Sequence, residues 1–105
     1  MKKKLSSNDI AIIVTSVGEN YLDKCLKSIQ NQNSKIGQLI VSIPKECKEI
    51  NISKDINTIK SKYKNQVYQR QQARKYIKKN IKIILQLDCK FILNKNTIKE
   101  ITQLW

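Results

Sequence analysis

The sequence predicts an α/β fold, a mostly parallel sheet with flanking helices, on three observations. Short, continuous, β-branched runs recur at Ile10 to Val14, Gln38 to Ile43 and Ile81 to Leu87. Runs without polar alternation suit strands covered on both faces, as in a parallel sheet. Helix-length segments separate them, which is what right-handed crossovers between parallel strands require. Finally, one proline (Pro44) and two glycines (Gly18, Gly37) in 105 residues are too few for a turn-rich all-β sandwich or barrel. The length is that of a single small domain.

Residues 1–9, which open on Met1-Lys2-Lys3-Lys4, read as a basic tail, and the folded domain is expected over 10–105. The first strand, Ile10 to Val14, leads into a loop, Thr15 to Asn20, with Asn20 as the expected N-cap of the first helix. Over Tyr21 to Gln30 the apolar residues Tyr21, Leu22, Cys25, Leu26 and Ile29 share one helical face. Gly37 breaks the chain before the second strand, Gln38 to Ile43, which Pro44 stops. Ile56 to Ser61 has the makings of a short third strand. Gln66 to Asn80 is free of glycine and proline and predicts a long helix with a thin stripe of Val67, Ala73 and Ile77. The strand Ile81 to Leu87 is expected to be buried and to end at Asp88. A last helix starts near Thr97, with Ile98, Ile101, Leu104 and Trp105 as its apolar positions. Ligands of open α/β sheets bind beyond the carboxyl ends of the strands. Those ends are Thr15-Ser16-Val17, Ser42-Ile43-Pro44 and Asp88-Cys89-Lys90.

Composition excludes several classes of function. The formal charge is +13, but Arg70 and Arg74 are the only arginines and the lysines are spread along the chain. A nucleic-acid binder gathers Lys and Arg on one face and adds aromatics for stacking, so nucleic acid is not the expected partner. Three cysteines without a C-x-x-C pair, and no histidine, argue against structural zinc and against Ser-His or Cys-His catalysis. An odd cysteine count without a secretion signal reads as reduced thiols. The apolar run after the lysine-rich start is too short for a signal peptide, and none approaches the roughly 20 residues of a membrane span. A soluble, cytoplasmic protein is expected.

Three segments in order and spacing resemble family 2 glycosyltransferases, enzymes with the GT-A nucleotide-binding fold. The first is Ile12-Ile13-Val14-Thr15-Ser16-Val17-Gly18-Glu19-Asn20-Tyr21-Leu22 with Cys25-Leu26-Lys27-Ser28-Ile29. The second is Gln66-Val67-Tyr68-Gln69-Arg70, and the third is Leu85-Gln86-Leu87-Asp88-Cys89-Lys90-Phe91-Ile92-Leu93 with Asn96-Thr97-Ile98. The resemblance implies an incomplete, Rossmann-like front half of a GT-A domain that binds a nucleotide-diphosphate sugar for transfer to an acceptor hydroxyl. It implies donor-nucleotide contacts from Thr15, Ser16, Glu19, Arg70, Asp88 and Lys90. Asp88 stands where the family's Asp-x-Asp motif holds Mg²⁺ or Mn²⁺ on the diphosphate.

Departures from the family pattern fall at the functional points. The stretch after the second strand, Ser42-Ile43-Pro44, lacks the usual carboxylate, and the third position of the metal triplet is Lys90. An ammonium about 4 Å from a divalent cation, at an effective dielectric of about 20, is repelled by roughly 8 kcal/mol. No metal cofactor is therefore expected, and Lys90 is left to face phosphate as a point charge or to point away. Blander readings stay open beside these: Asp88 as the cap of its turn, Arg70 as a solvated helix residue, Glu19 as a charge near a helix N-terminus. The sequence stops at Trp105 inside a predicted helix, so an acceptor half supplied by a second polypeptide is expected. The alternatives are a non-catalytic degenerate relative, or a small basic α/β module that binds RNA or another polyanion.

Overall fold

Every residue of Ile10–Thr15 is buried, and this run forms the middle strand, β1. The computed structural model describes residues 5–16, 21–45 and 56–104. Within them β1 is flanked by β2 (Gln38–Pro44) and by β4 (Ile83–Asp88), and β3 (Asn57–Ser61) lies outside β2. All three pairings are parallel, as the sequence predicts. Three α-helices flank the sheet: α1 (Leu22–Gln30), α2 (Gln66–Arg74) and α3 (Thr97–Leu104). No helix among the described residues is long and apolar enough to cross a membrane.

Side chains alternate between the two faces of β1. Ile10, Ile12 and Val14 pack with Val41 and Ile43 against Leu22, Cys25, Leu26 and Ile29 of α1 and Ile98 of α3. Ile13 points the other way and joins Ile40 and Ala73 of α2. The crossover from β1 to β2 and the one from β3 to β4 run in opposite directions across the sheet. Right-handed connections then place α1 and α2 on opposite faces, as observed. Each fully buried isoleucine contributes about 1.5–3 kcal/mol relative to an exposed one, so β1 is the main apolar anchor of the fold. Leu5 also enters the α1-side core, so the packed structure reaches back into the segment read as a tail.

Several expectations from sequence need correction. Helix α1 starts at Leu22; Tyr21 occupies its N-cap without a side-chain cap bond and is 54% exposed rather than part of the buried face. Asn20, the expected cap, lies outside the described residues, as do Glu19, Cys47 and Trp105. Helix α2 ends at Arg74 and not at Asn80. The cause is distant in sequence: Gln38 Nε2 donates to the Tyr76 carbonyl (2.8 Å), and Lys78 N–H donates to Gln38 Oε1 (2.9 Å). These two bonds hold residues 76–78 in a shape a helix cannot continue through. Val67, placed in the buried stripe from its spacing, is 61% exposed, and Gln69 is buried beside Ala73 instead. Leu104 likewise is exposed, not core. Strand β4 is only half buried, with Gln86 exposed, because it pairs with β1 alone among the described residues.

Gly37 has a steric reason for its identity. A Cβ there would stand 2.1 Å from the Asn8 carbonyl oxygen. Its own N–H donates to the Ile10 carbonyl at 2.9 Å, which starts the β1–β2 ladder. At the other end of α1, Gln32 Nε2 donates to the Ser28 and Asn94 carbonyls while its Oε1 accepts from Ile98 N–H. One glutamine thereby ties the end of α1 to the start of α3.

Candidate functional site

The chain lays down β1, β2 and β3 in one direction, then returns to place β4 on the far side of β1. Such a reversal opens a crevice at the carboxyl ends of the two strands, the usual ligand position in open α/β sheets. Here those ends are Thr15 and Asp88, which are partners in the β1–β4 register, and Thr15 is also the partner of Ser42 in β2. The alternation that turns Ile13 and Ile84 toward α2 turns Thr15, Ser42 and Asp88 toward it as well.

The N-terminal half of α2 closes over this row. Asn65 caps the helix by accepting from Tyr68 N–H at 3.0 Å. Gln69, fully buried, donates through one Nε2 to both the Ser16 and Ser42 carbonyls at 2.9 Å. Gln66 Nε2 donates to Asp88 Oδ2 at 3.1 Å. The buried side-chain atoms without a hydrogen-bond partner among the described residues are Thr15 Oγ1, Ser42 Oγ, Gln69 Oε1 and Arg70 Nε. An unmade buried hydrogen bond costs about 1–3 kcal/mol. All four orphaned atoms belong to the row of strand ends or to the helix above it, so the polar cost of the fold is concentrated at this point.

Asp88 is engaged on both oxygens. Oδ1 accepts from Lys90 N–H at 3.0 Å, which closes the turn after β4. That backbone bond is the main cause holding its carboxyl below the ordinary range; partial burial opposes it, and bonds from Gln66 and the Cys89 thiol and the Lys90 charge assist it. Asp88 is thus an ionised turn cap at neutral pH, and its position at the crevice comes in addition to that structural duty. Behind it, Cys25 and Cys89 are buried on the α1 side and form no disulfide. Burial, then the nearby Cys89 and Asp88, push the Cys25 thiol up to about 11, which keeps it protonated and unreactive.

The residues expected to bind a donor nucleotide are brought together only in part. Thr15, Ser16 and Asp88 meet at the strand ends, but Thr15 and Ser16 are buried. Lys90 is exposed beside them, and Glu19 lies outside the described residues. Arg70 stands one helical turn beyond Gln66 and, with Arg74, Val67, Gln71 and Gln86, lines a separate groove of about 190 Å³ along β4. Asp88 is a single carboxylate with both oxygens already accepting, and no group of three or more Cys, Asp or Glu side chains able to hold a metal occurs among the described residues.

Sequence reasoning placed Ser42 at a strand end and Gln66 and Gln69 in a resembling segment, but gave none of the three a role at the site. A signal for Gln69 existed: a helix whose apolar stripe is too thin to cover a sheet must bury polar groups, and Gln69 stands four residues before Ala73. A larger cavity, about 440 Å³, lies at the opposite end of the sheet among Ile29, Gln32, Ile36, Gln38, Ile56 and Lys78. It contains no orphaned polar atom and no carboxylate, so the strand ends remain the candidate site. No family model matches the chain, and neither a curated protein nor a solved structure is found to match it.

Proposed function

We propose that this chain is a glycosyltransferase-like domain of the family 2 type that binds a nucleotide-diphosphate sugar at the carboxyl ends of β1 and β4. The observation that carries the reading is the Thr15–Asp88 register pair at the reversal of the sheet, with the orphaned oxygens of Thr15, Ser42 and Gln69 gathered around it. The three resembling segments contribute the two strand ends and the helix that covers them. Binding does not use a metal in this reading, since Lys90 follows Asp88 where a second acidic ligand is needed. Lys90 instead offers one positive charge to phosphate oxygens, and Asp88 sets the turn that presents it through the bond from Lys90 N–H.

Transfer to an acceptor hydroxyl needs a general base. Asp88 is the one carboxylate at the strand ends among the described residues, and its role in the turn makes it a poor base. The base therefore lies outside the described residues; we propose that a second polypeptide supplies it with the acceptor-binding part, and that the working compartment is the cytoplasm. Alone, the chain binds without turning over, which is also the behaviour of a non-catalytic relative.

Calorimetric titration with UDP-sugars, with and without Mn²⁺, tests this. The expected result is saturable binding, unchanged by Mn²⁺, with no sugar release. Metal-dependent turnover would overturn the metal-free reading. Tight RNA binding with a steep salt dependence, and none to UDP-sugars, would replace the sugar reading by a polyanion one.

A further inference from the structure

The two outer strands of the sheet are composed in opposite ways. On β3 the residues Asn57, Thr58 and Lys60 are exposed and polar, the usual protection of an edge against unwanted pairing. On β4, Ile83-Ile84-Leu85-Gln86-Leu87 carries no charge; it is apolar toward α1 and, apart from the exposed Gln86, toward α2, close to the composition of an interior strand. Yet no described strand pairs with its outer side. Val67 of α2, and Phe91 and Ile92 just beyond the strand, add large exposed apolar side chains.

A second feature meets the same strand at Gln86. Arg70 and Arg74, one turn apart on α2, face Gln86 across the groove described above. Arg70 Nε is buried without a hydrogen-bond partner, and neither arginine is in an ion pair among the described residues, where the pairs are Lys27–Asp23 and Lys82–Asp9. A buried guanidinium nitrogen of this kind is suited to a carboxylate, which it can bind in a two-pronged, charge-assisted contact.

We propose that the outer edge of β4 receives a β-strand from a partner polypeptide whose side chains alternate acidic and apolar. Main-chain bonds extend the sheet, the apolar side chains cover Leu85 and Leu87, and a carboxylate enters the groove at Arg70 and Arg74. A second copy of this chain is the poorer partner: its own net charge of +13 repels a like-charged molecule on approach and supplies no acidic strand to Arg70 and Arg74. The inference stands apart from what the strand ends bind.

The probe is a blocked peptide of alternating Glu and Val, read out by amide hydrogen exchange at residues 83–88. The expected result is exchange slowed about tenfold or more at these residues, lost when the peptide is N-methylated on its pairing side. Arg70→Gln is expected to weaken binding about tenfold, the equivalent of one charge-assisted hydrogen bond. The idea is overturned if the peptide gives no protection at 83–88, if the N-methylated peptide binds as well, or if polyglutamate or polyuridine protects these residues equally. Concentration-dependent self-association that protects the same amides would instead assign the edge to a second copy.

Discussion

The two faces of the sheet solve the same covering problem with different chemistry. Under α1 and α3 the contact is almost wholly apolar, with Ile10, Ile12, Val14, Val41, Ile43, Leu26 and Ile98 in one cluster. Under α2 the apolar contact shrinks to Ile13, Ile40 and Ala73 with half-buried neighbours, and polar side chains fill the rest. Gln38 clamps one end of that face and Gln69 the other. The first face stabilises the molecule, and the second holds the strand ends at a cost in unpaired polar atoms. Natural proteins depart from good packing mainly where function requires it, so the polar face is the one to examine for activity.

Four substitutions sharpen or break that contrast. Ile12→Ala, on the apolar face, should cost about 3–4 kcal/mol in urea unfolding, as expected for a fully buried isoleucine with no room to relax. Gln69→Leu keeps the volume but removes the two bonds to the Ser16 and Ser42 carbonyls, of which the latter still accepts from Ser16 N–H at 3.1 Å, and a loss of about 2 kcal/mol is expected by the same measurement. Thr15→Val should act with the opposite sign and stabilise by about 1 kcal/mol, because it removes a buried hydroxyl without a partner. If Thr15→Val destabilises, that hydroxyl has a structural partner and the contrast between the faces fails.

The smallest effect is a pH dependence. The Asp88 carboxyl is held below its ordinary range, so the folded chain binds that proton less tightly than the unfolded chain does. Its stabilising contribution is complete above the unfolded value of about 3.9 and is lost as pH falls through the folded value. The urea midpoint of the wild type should therefore fall more steeply on acidification than that of Asp88→Asn, the two converging at the acid end. Parallel curves would show that the Lys90 and Gln66 bonds contribute nothing to stability.

How much of this could be read in the sequence depended on whether the causes were local. Strands β1 and β2 were legible because a central parallel strand is apolar on both sides, and that is a property of the run itself. The place of β4 was legible for the same reason, but its half-exposure was not, since an edge position is decided by what pairs beside it. The end of α2 was hidden because Gln38, far away in the chain, captures residues 76–78. Among site residues, the strand-end position made Asp88 legible. Its partner Gln66 and the bridging Gln69 were not, because glutamine on a helix is ordinarily solvated, and burial follows only from the packing of α2 on the sheet.

The central claim is that the carboxyl ends of β1 and β4, and not the larger cavity at the opposite end, bind a nucleotide diphosphate. Backbone amide shifts recorded during titration with UDP test it most directly. The account predicts saturable shifts confined to Thr15, Ser16, Ser42, Gln66 and Asp88 to Lys90, the same with and without Mg²⁺. Shifts centred on Ile29, Ile36, Gln38 and Lys78, or no saturable shift at all, would contradict it.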